Sequence, residues 1–167
     1  MRRVVTGSRP DGTSFVAQDD ELPDVSARTP FISVWEADGT LQLPSDGSLP
    51  ASSAAFFPPP GGFRIILLTL WPGTAAPDRS DEADADARAA TIAAGLHVDA
   101  ADGMHRTDSV DVELVLSGEV DLQLDDGMVT LRPGDWVVQN GARHAWLNRS
   151  DEPCVIAAIF LGASTRS

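Results

Sequence analysis

Apolar and polar residues alternate in short runs along much of the chain, with a period of two. The clearest run is Val120-Asp121-Leu122-Gln123-Leu124, and that period sends successive side chains to opposite faces of a strand. Val110 to Leu116, Met128 to Leu131, Trp136 to Gln139, His144 to Asn148 and Cys154 to Leu161 read as further strands. Turn residues separate them. Asp126-Gly127 is a hairpin signal, and Arg132-Pro133-Gly134-Asp135 places Pro and Gly at the type II positions. Upstream, Phe63 to Trp71 is a strong strand stopped by Pro72-Gly73. Val4-Val5 and Phe15-Val16-Ala17 flank the turn-rich Ser8-Arg9-Pro10-Asp11-Gly12, and Phe31 to Trp35 is a β-prone run closed by Asp38-Gly39. Many short strands at regular turn spacing predict an all-β antiparallel sandwich or barrel. No internal repeat is visible, so one barrel is expected.

Two segments break the alternation. Residues 44–62 are rich in Pro, Ser, Gly and Ala, and Pro58-Pro59-Pro60-Gly61-Gly62 is incompatible with regular structure. Residues 1–62 are too few and too turn-rich to fold alone. They are expected to pack as N-terminal strands and a connection on a barrel formed by residues 63–167, in one domain overall. Ser80 to Gly95 is alanine-rich, with Asp81, Glu82 and Asp84 in its first turns and Gly95 as a stop. That pattern predicts one short surface helix between strands; a flexible acidic loop is the alternative.

Composition narrows the chemistry. The chain has 167 residues, 43% of them hydrophobic, enough for a real core. No apolar run approaches the roughly 20 residues of a membrane helix. No long apolar stretch follows Arg2-Arg3, so no secretory signal is read and a cytoplasmic location is expected. A formal net charge of -13 makes nucleic acid and anionic membranes poor partners. Lysine is absent, which excludes Schiff-base and P-loop chemistry, and tyrosine is absent, which excludes a phenolic acid or base. The single cysteine, Cys154, sits among Val155, Ile156 and Ala157 and reads as an inert buried thiol. Imidazole chemistry is left to His97, His105 and His144.

Two blocks carry a resemblance. The first runs from Met104-His105-Arg106-Thr107 through Asp111 and Glu113 to Ser117-Gly118-Glu119. The second runs from Pro133-Gly134-Asp135-Trp136 through Gln139-Asn140-Gly141 to His144-Ala145-Trp146-Leu147-Asn148. In order and spacing they resemble the two motifs of the cupin superfamily, which implies a single cupin jelly-roll β-barrel. His105 takes the first histidine position, Thr107 stands at the second, and Asp111 replaces the usual glutamate. His144 and Asn148 hold their places. The resemblance implies a divalent metal on His105, Asp111 and His144, a set that matches the two-histidine, one-carboxylate triad of non-haem iron. Iron is the first candidate, with zinc, nickel or manganese as alternatives. Loss of the metal, leaving a polar His-Asp pocket, is the other outcome.

Alternation then places further residues. Asp111, Glu113 and Val115 share one strand face. Glu113 and Asp111 are therefore the candidate catalytic acid and base, with Glu113 raised in pKa by an apolar barrel. A bulge that turns Glu113 outward, or an arginine partner, is the competing reading. Trp146 and Asn148 alternate with His144 and are expected to line the substrate pocket, and Arg106 is a candidate for holding a carboxylate substrate. His97 is read as a loop histidine rather than a third ligand, and Asp108 as a turn residue. The opposite face, Val112, Leu114 and Leu116, is wholly apolar and needs a cover. N-terminal strands or a second subunit would supply it, and the resemblance implies a homodimer. The function expected is that of a cupin-type enzyme on a small organic acid, enol or aromatic substrate in a metabolic or tailoring pathway. Oxygenase, decarboxylase, cyclase and isomerase chemistries all remain open. The alternative is a non-catalytic ligand-binding cupin.

Overall fold

The computed structural model describes residues 1–25, 31–53, 55–73, 96–98 and 104–164. The expected helix over 80–95 lies outside these residues. The described elements are all strands: β1 (Arg2–Ser8), β2 (Ser14–Glu21), β3 (Phe31–Ala37), β4 (Phe63–Leu70), β5 (Leu96–Val98), β6 (His105–Thr107), β7 (Ser109–Ser117), β8 (Val120–Leu124), β9 (Gly127–Leu131), β10 (Trp136–Asn140), β11 (His144–Leu147) and β12 (Cys154–Gly162). One five-stranded sheet has the order β10-β7-β12-β4-β3 and another the order β5-β6-β11-β8-β9. Every pairing is antiparallel. The β1-β2 hairpin forms a separate two-stranded sheet. This is the all-β antiparallel architecture that the alternation predicts, and it agrees with the cupin barrel that the resemblance implies.

The turns work as their residues suggest. Asp135 N–H donates to Arg132 O at 2.9 Å, and Gly134 at φ 96° fills the type II position that disfavours a side chain. Gly118 closes the β7-β8 turn at φ 75°, where a Cβ would lie 2.4 Å from Pro153 O. The β8-β9 hairpin is present, but Leu124 pairs with Gly127, so the two-residue loop is Asp125-Asp126. The sequence signal was one residue late because Gly127 already belongs to β9.

Of the N-terminal segment, β3 belongs to a barrel sheet, while β1 and β2 stay in their own hairpin. β3 adds to the edge of β4, and Arg64 of β4 is buried where the two meet. Its guanidinium donates to Ala37 O, Ala55 O and Phe63 O, and to Asp38 Oδ1 at 2.6 Å. A buried arginine is tolerated only with partners of this kind, and these tie Ala37, Asp38 and Ala55 to the sheet.

The interior has two ends. Leu70, Val115, Val120, Leu122, Leu131, Trp146, Cys154 and Ile156 make one apolar cluster. Cys154 is buried, with its thiol pushed up to about 11 by burial, as expected of an inert core residue. The other end of the inner face of β7 is polar, and it holds the candidate site.

Candidate active site

β7 sets the site by parity. Ser109, Asp111, Glu113 and Val115 are buried, while Val110, Val112 and Leu114 are only half-buried. Asp111 and Glu113 therefore share the interior face, and no bulge turns Glu113 outward. Antiparallel register supplies the neighbours. Asp111 faces Gln139 of β10 on one side and Phe160 of β12 on the other. Glu113 faces Val137 and Ala158. A carboxyl between a valine and an alanine loses its water and gains no dipole in return.

Asp111 is held firmly. Thr107 Oγ1–H donates to its Oδ2 at 2.9 Å and Ser109 Oγ–H to its Oδ1 at 2.5 Å. Burial raises its pKa, and the two hydroxyls and the nearby His144 only partly offset that. Glu113 is pushed up to about 8, first by burial and then by the charge of Asp111. It is thus a carboxylic acid at neutral pH. Its Oε2 has no hydrogen-bond partner, and neither has Gln139 Nε2.

The opposite sheet brings the imidazoles. β11 pairs with β6 so that His144 faces His105, with ring centroids 4.4 Å apart. His144 Nδ1–H donates to Ala142 O at 2.8 Å, which fixes the tautomer and leaves the Nε2 lone pair for the chamber. Burial lowers the His144 pKa, opposed by Ala142 O and by Asp111. Trp146, two residues on, belongs to the apolar cluster, its ring centroid 6.3 Å from that of His144. It walls the chamber from the core.

Other residues named from the sequence lie elsewhere. Arg106 alternates with His105 and Thr107, so it is exposed on the outer face of β6. It borders a surface cavity of about 720 Å³ with His97, Asp108, Ser109 and Asn140. His97 lies on β5 and pairs with Asp108, Nε2 to Oδ2 at 3.0 Å. Asn148 is buried and fully committed. Its Nδ2 donates to Leu70 O and Glu152 O, and its Oδ1 accepts from the Ser150 backbone N–H and hydroxyl. It braces the β11-β12 connection and has no group left for a substrate. Thr107, Ser109 and Gln139 are the site residues that motif reading passed over. Thr107 was seen only as a missing histidine, and Gln139 needs the β10-β7 register to be placed.

The fit of a divalent ion depends on these donors. Two imidazoles stand side by side, and Asp111 receives a hydroxyl hydrogen on each oxygen, which leaves a lone pair on each. Among the described residues, no three of His, Cys, Asp and Glu stand where one ion would be held. In this geometry His105, Asp111 and His144 are not brought together as one three-ligand group among the described residues.

Residues 94–160 match the family model for the cupin domain, Cupin_2. The chain contains a cupin domain. It is 54% identical over 48 residues to phomopsin biosynthesis cluster protein C′ of Diaporthe leptostromiformis, covering 28% of this chain and 25% of that protein. It is 46% identical over 50 residues to the cupin-domain-containing oxidoreductase srdB of Neurospora crassa, covering 29% and 26%. The chain thus spans about a quarter of the length of these curated relatives. A cupin 2 conserved barrel domain protein from Salinispora arenicola superposes with a TM-score of 0.40 at 18% identity, covering 60% of this chain and 64% of that one. That superposition is too loose to add to the family assignment. Among the described residues of this cupin, no helix is long and apolar enough to cross a membrane.

Proposed function

We propose that this cupin is an enzyme of small-molecule metabolism that moves protons on a small organic acid, enol or aromatic substrate. The observation that carries the reading is one buried strand face bearing two carboxyl groups, with an oriented imidazole close to Asp111. Asp111 and Glu113 lie on one buried strand face, and His144, with its Nδ1–H on Ala142 O, is close enough to Asp111 for their charges to interact. Two like carboxyls close together in an apolar wall resist ionising together, which keeps a proton on one of them. His144 accepts a proton at Nε2, Glu113 delivers one from its carboxyl, and Asp111 stabilises the imidazolium. Isomerisation, cyclisation and loss of water or carbon dioxide all need such an exchange. The likeness to a biosynthesis-cluster protein and to an oxidoreductase supports a tailoring role.

The test is hydrogen exchange in D2O, followed by proton NMR over a panel of enolisable and hydroxy acids. Deuterium should enter the carbon next to the carbonyl, and Glu113→Gln, Asp111→Asn and His144→Gln should each slow it by about 10²–10⁴-fold. Exchange at the wild-type rate in all three variants would contradict the reading. Absence of exchange across the panel would favour a non-catalytic ligand-binding cupin.

The paired rings of His105 and His144 favour one second reading, a divalent ion held by these imidazoles. Stoichiometric iron, zinc, nickel or manganese in tag-free protein, lost in both His105→Ala and His144→Ala, would establish it.

A homodimer is also proposed. Trp136 and Val138 of the edge strand β10 are 61% and 57% exposed on the outer face, next to Val112, Leu114 and Leu116. That patch carries no charge in a chain of net charge -13, so a second copy can meet it without opposing carboxylates. A monomer mass by light scattering would contradict this.

A further inference from the structure

Buried polar side chains in this barrel are generally satisfied where they serve the fold. Arg64 has acceptors for its guanidinium, and Asn148 uses both amide hydrogens and its oxygen. Among the described residues, two buried side-chain atoms lack a partner: Glu113 Oε2 and Gln139 Nε2. The residues are 4% and 3% exposed. An unpaired buried polar group is expensive, and such groups concentrate where a ligand completes them.

Both orphans occur in one place. Gln139 pairs with Asp111 and Val137 with Glu113, so Glu113 and Gln139 are diagonal neighbours on one inner face. Diagonal partners stand about 7–8 Å apart, within reach of long side chains. We propose that Glu113 and Gln139 form an inner subsite for a planar, uncharged ligand group with an acceptor oxygen beside a donor hydrogen. A carboxamide, a carboxylic acid or an enolised 1,3-dicarbonyl has that edge. Gln139 Nε2 only donates, so it takes the ligand oxygen. The Glu113 carboxyl oxygen takes the ligand hydrogen. A charged carboxylate is disfavoured by Asp111 directly opposite Gln139. The subsite deepens the proposed function, since it rests on the chamber being a small-molecule site and names the group bound there.

Benzamide is the probe, and the side-chain amide signal of Gln139 in nitrogen-15 spectra is the readout. The signal is assigned by its loss in Gln139→Met. Benzamide at millimolar concentration should shift it, and Glu113→Met should weaken binding at least about tenfold. Acetophenone, which keeps the acceptor but has no donor, should bind several-fold more weakly than benzamide. A Gln139 signal that benzamide leaves unmoved, or acetophenone binding as tightly, overturns the proposal.

Stability gives an independent arm. Replacing an orphaned polar group by an apolar one of similar shape relieves its desolvation cost. Gln139→Met and Glu113→Met should therefore each raise Tm by about 2–4 °C. A fall in Tm, or failure to fold, overturns the proposal by showing that the pair serves the fold, for example around a trapped water. Benzamide binding requires no turnover. A chain that binds it but exchanges no hydrogen retains the subsite and loses only the proton-transfer reading.

Discussion

The inner face of β7 changes character halfway along. At Val115 it meets Leu122, Trp146 and Ile156, a cluster closed by packing. At Asp111 and Glu113, a few ångströms away, it presents two buried carboxyls, one of them with an orphaned oxygen. The two halves share a strand, a sheet and a fold, yet the rule that buried polar groups are paired holds in one and fails in the other. A protein of marginal stability keeps such a failure where the unpaired groups have another use. The apolar half stabilises the barrel, and the polar half is kept at its expense.

Mutations should separate the halves, and the largest effect belongs to the apolar one. Ile156 is fully buried in the cluster. Ile156→Ala should cost about 2–5 kcal/mol in denaturant unfolding while leaving the Gln139 side-chain signal in place. A loss below 1 kcal/mol would mean that the core lies elsewhere. Next comes Asp111→Ala, which strands the Thr107 and Ser109 hydroxyls and should cost about 1–3 kcal/mol. A neutral result would remove Asp111 from the framework of the chamber.

The pH dependence of stability sharpens the contrast further. Glu113 titrates at about 8 in the fold, against an ordinary 4.5. Below about 4.5 it is protonated in both the folded and unfolded states. Between about 4.5 and about 8 the folded chain holds the proton that the unfolded chain has lost, so this group's contribution to stability falls as pH rises. The slope from this one carboxyl is at most about 1.4 kcal/mol per pH unit. It should be seen as the difference between the wild type and Glu113→Gln in urea midpoints across that window. Parallel curves would contradict the burial argument. The smallest effect lies outside the barrel. Trp136→Ser should change monomer stability by about 0.5 kcal/mol or less, while abolishing dimer mass in light scattering.

Much of this was legible in the sequence, and the limits are instructive. Period-two alternation placed Asp111 and Glu113 on one buried face, because parity along a single strand needs no tertiary knowledge. The same parity also puts Arg106 outside, since His105 and Thr107 point inward. Asn148 kept its motif position but answers to Leu70 O, 78 residues away, which only the folded chain brings near. The strands β5 and β6 are three residues each, too short for any period to show. Gln139 emerged only from the register of β10 against β7. Register is a property of pairs of strands, and it is the part of a β fold that one-dimensional patterns encode least.

The polar end of the β7 inner face holds a carboxyl with one orphaned oxygen, kept neutral at physiological pH by burial. Carbon-13 NMR of glutamate side-chain carboxyls, followed from pH 3 to pH 10, reads this directly. The account predicts one glutamate signal that titrates near 8 and is missing in Glu113→Gln. A spectrum in which every glutamate titrates in the ordinary carboxylate range would contradict it.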